Sequence, residues 1–337
     1  MKNKHGRSRL RCESTDKESL DLKVGQTPRK LIWRLNKAAL WYYPSKEKKY
    51  KTPLLLVYSL VNKSYILDLH PGMSMIEAYL KEGYDVYLLD FGEPGYEDKD
   101  VTLDDYILKY IDRAVKRTIL HSNAGEITLI GYCLGGKLTA IYAAIAETPI
   151  KNLIIFATPI DFSKLNIPKD WNNALQKNEF ELDEIIDEYG IIPAKVVEKA
   201  ITLATTPFTI KSKLSLKKKP KNLKMKLLYH WINDQIAFSG ALLKQLIKMV
   251  LGNQLVKDEL VIGGKKVKLA NIKANTLVIS TTHDELVPEK YTKTIMSLLT
   301  CKDQTFEKIN GGHVTIAMTG KIPRVLKEWL TKRSIPL

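Results

Sequence analysis

The chain has little cysteine and no long apolar stretch, and both shortages restrict what it can be. Three cysteines, Cys12, Cys133 and Cys301, occur among 337 residues. They form no metal-ligand spacing, and any disulfide scheme leaves one unpaired, which suits a reducing compartment. Apolar stretches such as residues 153–157 fall far short of the roughly 18 residues that a membrane span needs. Residues 1–11 are basic and polar, unlike a signal peptide, so we expect a cytoplasmic protein without a membrane span or a bound metal.

Acidic residues are scarce in two stretches of the chain. The whole sequence holds 53 Lys and Arg against 37 Asp and Glu, a formal charge of +16. Residues 1–51 contain 15 basic and 5 acidic residues, and residues 211–226 contain eight lysines and no acid. Nucleic acid, an anionic surface or a phosphate-bearing substrate could use such patches, and solvated loops would also explain them. Neither patch interleaves aromatic with basic residues, so nucleic acid is the least favoured partner.

A short glycine-rich motif gives the first indication of chemistry. Residues 127–136 read ITLIGYCLGG, an apolar β-type run that ends in Gly131, Cys133 and Gly135. This pattern is typical of a nucleophile elbow, a strained strand-to-helix turn that needs small residues two positions before and after the nucleophile. A buried strand cysteine would give the same short pattern, so later residues must decide.

An acid and a histidine follow in the required order. Asp284 comes after the strand-like residues 276–280, and His313 comes after a second predicted strand, residues 304–309. An α/β-hydrolase places its nucleophile, acid and base in this order along the chain. The sequence therefore predicts a triad of Cys133, Asp284 and His313.

The predicted triad implies two oxyanion-hole donors. One is the backbone N–H of Leu134, directly after the nucleophile, and the other is a backbone N–H near Val61 or Asn62 in the loop after an early strand.

The order of predicted elements indicates an α/β fold with a mostly parallel, doubly wound sheet. We expect the core at residues 51–158 and 261–337, and a helical cap at residues 159–260, inserted between the sixth and seventh core strands. Residues 1–50 are predicted to be a basic extension, disordered to about Thr27 and then helical with an aromatic docking face. Further predicted elements are helices at 73–81, 102–120, 134–146 and 321–332, and strands at 53–60, 84–89 and 152–157.

Several longer stretches carry a family resemblance. They are PLLLVYSLVNKSYILDLHPG at 53–72, YDVYLLDFGEPGYEDKDVTLDDYI at 84–107, GYCLGG at 131–136, ATPIDF at 157–162, DEYGIIPAKVV at 187–197, HWINDQIAFSG at 230–240, and then HDELVP and GGHVTIAMTGK. In these stretches the chain resembles the catalytic subunit of class III and class IV polyhydroxyalkanoate synthases. Residues 1–50 and 211–226 match that family poorly. His70 and Met73 depart from the family pattern, because relatives often carry glutamine and arginine at these positions.

The resemblance implies an α/β-hydrolase that polymerises (R)-3-hydroxyacyl groups from coenzyme A thioesters, with no cofactor. Cys133 would hold the growing chain as a thioester and His313 would be the base. Asp284 would either orient His313 or act on the incoming 3-hydroxyl. Trp231 and Asp234 lie in the family's cap motif and are candidate substrate contacts, although Trp231 fits a core aromatic equally well. The resemblance also implies a second subunit, of E type or R type, and attachment to polymer granules.

Two other functions are compatible with the same fold, one enzymatic and one non-catalytic. A cysteine thioesterase, or a hydrolase of the dienelactone hydrolase kind, would share the triad and differ only in admitting water. A non-catalytic granule-binding scaffold would keep the fold without needing the thiol. Cysteine itself favours acyl transfer, because exchange of one thioester for another keeps the acyl group activated for attack by an alcohol.

Overall fold

The computed structural model describes residues 23–163, 182–197 and 222–337. Within them, eight strands form one sheet: β1 (Lys30–Leu35), β2 (Ala38–Tyr43), β3 (Leu54–Val57), β4 (Val86–Asp90), β5 (Ile127–Tyr132), β6 (Ile150–Phe156), β7 (Asn275–Thr281) and β8 (Gln304–Ile309). The order across the sheet is β1-β2-β4-β3-β5-β6-β7-β8. Strand β2 pairs antiparallel with β1 and β4, and the remaining pairs are parallel. The predicted doubly wound, mostly parallel sheet is confirmed.

Helices connect the strands and cover the sheet. Those described are α1 (Met75–Lys81), α2 (Asp112–Ser122), α3 (Leu134–Ile145), α4 (Leu182–Tyr189), α5 (Leu223–Ile232), α6 (Gly240–Gly252), α7 (Glu289–Lys293), α8 (Ile295–Leu298) and α9 (Arg324–Arg333). A π-helical segment, Asp105–Ile111, leads into α2. In the described part of the chain, no helix combines the length and the apolar character needed to cross a bilayer.

Strand β3 shows why the middle of the sheet reads as a continuous apolar run. Leu54 and Leu56 belong to one cluster of buried side chains, and Leu55 and Val57 belong to another. Successive side chains of a strand point to opposite faces, so the two clusters lie on the two faces of the sheet. A parallel strand covered on both faces needs apolar residues at every position, as β3 has.

The N-terminal region differs from the prediction. A hairpin, β1 and β2, replaces the expected helix and extends the sheet, so the core begins well before residue 51. Asn36 opens the two-residue turn with φ at 51°, a conformation that asparagine tolerates, and six-residue aromatic and apolar strands flank it. Thr27 is buried and its hydroxyl donates to Asp68 at 2.6 Å, so order begins before the predicted boundary. The rest of the predicted disordered start, residues 1–22, lies outside the described residues.

The predicted insertion between the sixth and seventh strands is confirmed. Helices α4, α5 and α6 lie between β6 and β7 in the chain, and β6 and β7 are neighbours in the sheet. A short antiparallel pair, Ile191–Ile192 with Phe238–Ser239, ties the insertion together. Most of the lysine-rich stretch falls outside the described residues, and the boundaries at 159 and 260 stay a prediction.

Candidate active site

Cys133 lies in the sharp turn that joins β5 to α3. Its φ is 53° and its ψ is −124°, a strained conformation for a residue with a side chain. The turn is held because the N–H of Cys133 donates to the Phe156 carbonyl at 2.9 Å and its own carbonyl accepts from Gly136 at 3.0 Å. The thiol is partly exposed and lies at the N-terminal end of α3, where the helix dipole favours negative charge. The geometry is that of the predicted nucleophile elbow.

Two glycines make this turn possible. A Cβ on Gly131 would lie 2.2 Å from Thr139 Oγ1 and 2.4 Å from Gly136 Cα. A Cβ on Gly135 would lie 2.3 Å from the Val57 carbonyl oxygen and 2.4 Å from that of Tyr58. Strand β5, helix α3 and the loop after β3 therefore approach so closely that neither glycine position has room for a side chain.

Asp284 and His313 meet at the carboxyl edge of the sheet, in the loops after β7 and β8. The Nδ1 of His313 lies 2.8 Å from Asp284 Oδ2. Asp284 Oδ1 accepts the backbone N–H groups of Leu286 at 3.0 Å and Val287 at 2.7 Å. The carboxylate is fully buried and its position is set by four hydrogen-bonding groups, Thr281 Oγ1 being the fourth at 3.4 Å.

The imidazole of His313 lies between Asp284 and Cys133. Burial by itself lowers its pKa, but the charge of Cys133 and hydrogen bonds to Asp284 and Cys133 raise the pKa to about 10. Since Nδ1 contacts Asp284, Nε2 is the ring nitrogen left to exchange a proton with Cys133. The structure thus brings together the three residues that the sequence predicts as a triad.

The predicted oxyanion donors come from two segments, the beginning of α3 and the loop after β3. Leu134 is the first residue of α3, and an α-helix leaves the N–H groups of its first turn without internal acceptors. The N–H of Val61 already donates to Ser59 Oγ at 3.2 Å, and its carbonyl accepts from Ile236. Asn62 forms a bridge with Gln235. The oxyanion role of Leu134, Val61 and Asn62 stays a prediction.

Trp231 and Asp234 fasten the insertion to the loop after β3. The indole Nε1 of Trp231 donates to the Lys63 carbonyl at 2.9 Å, and Asp234 lies 3.0 Å from Lys63 Nζ. Trp231 is buried and its ring meets Tyr58 edge-on at a centroid distance of 6.5 Å. These contacts give Trp231 and Asp234 a structural role. Contact of either residue with substrate stays a prediction.

Sequence reasoning missed three side chains around Cys133. Tyr132 donates its hydroxyl to the His313 carbonyl and stacks on Phe156, which fixes the histidine loop to the elbow strand. Tyr58 packs against Tyr132 at a centroid distance of 5.6 Å. Lys137, one turn into α3, is 1% exposed. The sequence does contain a signal for Lys137, because this lysine interrupts the otherwise uncharged helix LGGKLTAIYAAI.

Comparison with known proteins defines the class first. The family model for the alpha/beta hydrolase fold matches residues 52–317. Among solved structures, MenH from S. aureus superposes with a TM-score of 0.53 at 17% identity, covering 87% of this chain and 96% of that one. The Paleococcus ferrophilus monoacylglycerol lipase gives a TM-score of 0.51 at 18% identity, covering 88% of this chain and 99% of the lipase. At such identities these likenesses establish the fold alone.

More similar sequences define the family. A second family model, the poly-beta-hydroxybutyrate polymerase (PhaC) N-terminus, matches residues 2–79, so the N-terminal region matches better than expected. The PhaC subunit of the poly(3-hydroxyalkanoate) polymerase from Allochromatium vinosum is 31% identical, over 94% of this chain and 91% of its own length. The PhaC subunit from Haloferax mediterranei is 30% identical over 93% of this chain, which spans 66% of that relative's length. The chain therefore belongs to the family of poly(3-hydroxyalkanoate) polymerase PhaC subunits, on the α/β-hydrolase fold.

Proposed function

We propose that this chain is the catalytic subunit of a poly(3-hydroxyalkanoate) synthase. It transfers (R)-3-hydroxyacyl groups from coenzyme A thioesters to a growing polyester through a thioester on Cys133. The observation that carries the proposal is the position of His313, whose Nδ1 lies 2.8 Å from Asp284 Oδ2 and whose imidazole interacts electrostatically with Cys133. The names of its relatives support the choice of acyl group and product.

The first step is exchange of one thioester for another. His313 Nε2 takes the thiol proton of Cys133, and the sulfur attacks the carbonyl carbon of the acyl-coenzyme A. The carbon–sulfur bond to coenzyme A breaks, and His313 returns the proton to the departing thiolate. In this proposal the N–H of Leu134 stabilises the oxyanion that forms between these events.

The second step lengthens the chain. The 3-hydroxyl of an acyl group attacks the carbonyl carbon of another thioester, an ester forms, and the released sulfur regains a proton. Asp284 orients His313 in our proposal rather than acting on this hydroxyl, because its buried carboxylate already accepts from His313 and two backbone N–H groups. Such a carboxylate fixes the tautomer and stabilises the imidazolium.

We also propose that the chain works with a second subunit and at the surface of polymer granules. The relatives' names describe each of them as a subunit of a polymerase, which supports a complex. Coenzyme A carries several phosphate charges, and the net charge of +16 gives the chain a means of attracting it.

The test is coenzyme A release from (R)-3-hydroxybutyryl-coenzyme A by the purified chain, with and without an E-type or R-type subunit, while polymer and free hydroxy acid are assayed. We expect thiol release with polymer, and neither with Cys133→Ala. Cys301→Ala is the matched control, since Cys301 is buried against Thr276 and should leave the rate unchanged.

Other results would replace the proposal. Thiol release with free acid alone, with the second subunit present, would indicate a thioesterase. No release from any acyl thioester would indicate a scaffold protein.

A further inference from the structure

A buried lysine lies beside the nucleophile. Lys137 follows Cys133 by four positions, about one turn of α3, and is 1% exposed. A lysine is almost never fully buried without a partner, because removing its charge from water is costly. Its neighbours must therefore explain why it is there.

The described neighbours do not supply an acceptor. Within residues 23–163, 182–197 and 222–337, Lys137 Nζ makes no hydrogen bond or ion pair, and its contact is with the Phe162 ring, 3.8 Å from the centroid. Burial lowers its pKa to about 7, although the charges of Cys133 and Asp161 act in the opposite direction. Asp161 accepts from Ser163, Asn253 and Thr294 instead.

The position of Lys137 relates it to the acyl group. A Cβ on Gly136 would lie 1.9 Å from Thr158 Oγ1, so the first turn of α3 touches the loop after β6. Phe162 lies further along that loop, where the chain leaves the sheet for the insertion. Lys137 thus lies between the nucleophile and the beginning of the insertion.

We propose that Lys137 donates a hydrogen bond to the 3-oxygen of the acyl group held on Cys133, and so selects 3-hydroxyacyl thioesters. This inference rests on the proposed function. The thioester carbonyl faces the N–H of Leu134, and the 3-oxygen is the next acceptor along the acyl chain. A buried ammonium without an acceptor among the described residues gains one in such an oxygen, and a thioester that lacks the oxygen leaves the ammonium unsatisfied.

The test compares two acyl donors that differ only in this oxygen. Acylation of Cys133 in the full chain, with an E-type or R-type subunit present, is measured by quenched single-turnover mass spectrometry, with (R)-3-hydroxybutyryl-coenzyme A and with butyryl-coenzyme A. We expect Lys137→Met to lower the ratio of the hydroxybutyryl rate to the butyryl rate about tenfold or more. That is the effect of losing one hydrogen bond to a charged group. Lys137→Gln keeps an N–H donor and should give an intermediate ratio. Lys151→Met, at the other end of β6 and paired with Glu126, is the control and should keep the wild-type ratio.

Each other result has one meaning. An unchanged ratio in Lys137→Met, or an equal loss with both donors, would overturn the selectivity of Lys137 and leave the proposed function standing. A wild-type chain that neither donor acylates would overturn both.

Discussion

The two sides of Cys133 are built differently. On the side of β7 and β8, the two catalytic side chains have partners, since His313 bonds Asp284 and Asp284 bonds two backbone N–H groups. On the side of α3, the buried ammonium of Lys137 meets an aromatic ring and no acceptor among the described residues. A completed network holds a catalytic group in one orientation, whereas an incomplete one suits a ligand that brings the missing atom.

This difference makes opposite predictions for the two sides. Removing a partner from the completed side should cost activity and stability, because it leaves a buried group unpaired. Removing the charge from the other side should cost selectivity and add stability.

The largest expected effect is on the completed side. Asp284→Asn should lower coenzyme A release by roughly a thousandfold, because an amide no longer fixes the tautomer or stabilises the imidazolium of His313. Steady-state kinetics on the folded variant would measure it. Thr292→Val, at a buried hydroxyl in α7 without a described partner, is the control and should keep the rate. A loss below about tenfold would mean that Asp284 does not orient the base.

The elbow itself comes next. Gly135→Ala should lower the free energy of unfolding by about 3 kcal/mol, since its Cβ would meet two backbone carbonyl oxygens that cannot move as a side chain would. Urea unfolding measures the change. Gly125→Ala, where a Cβ meets nothing within 4 Å, is the matched control. Equal stability for the two variants would contradict the close approach of α3 and the loop after β3.

On the α3 side of Cys133, we expect a substitution to increase the free energy of unfolding instead of lowering it. Lys137→Met should raise the free energy of unfolding by about 1–2 kcal/mol, because an apolar side chain of similar length replaces a buried charge. Thermal and urea unfolding without substrate would show it. A clear destabilisation would mean that Lys137 has an acceptor in the free protein.

The smallest effect concerns pH. The pKa of His313 is raised from 6.5 to about 10, so its contribution to stability is complete below pH 6.5 and is lost as pH rises toward 10. The advantage of the wild type over His313→Gln should therefore shrink by about 1 kcal/mol or more between pH 7 and 10. Urea unfolding at several pH values tests this. An advantage that grew with pH would contradict a protonated imidazole beside Cys133.

The triad could be predicted from sequence because each member follows a parallel strand, and the carboxyl ends of parallel strands meet at one edge of a sheet. Apolar runs such as β3 identify those strands directly. The β1–β2 hairpin was missed because its aromatic residues also fit a helix face, and only the turn at Asn36 distinguishes the two. Contacts such as Lys137 with Phe162 join residues distant in sequence, so no local pattern predicts them.

Acyl transfer through Cys133 is tested by locating the acyl group on the chain during turnover. The chain is quenched during turnover of (R)-3-hydroxybutyryl-coenzyme A and digested, and its peptides are analysed by mass spectrometry. We expect one or more hydroxybutyryl units on the peptide containing Cys133, removable by hydroxylamine and missing in Cys133→Ala. Hydroxybutyryl units on another residue, together with continued turnover by Cys133→Ala, would contradict it.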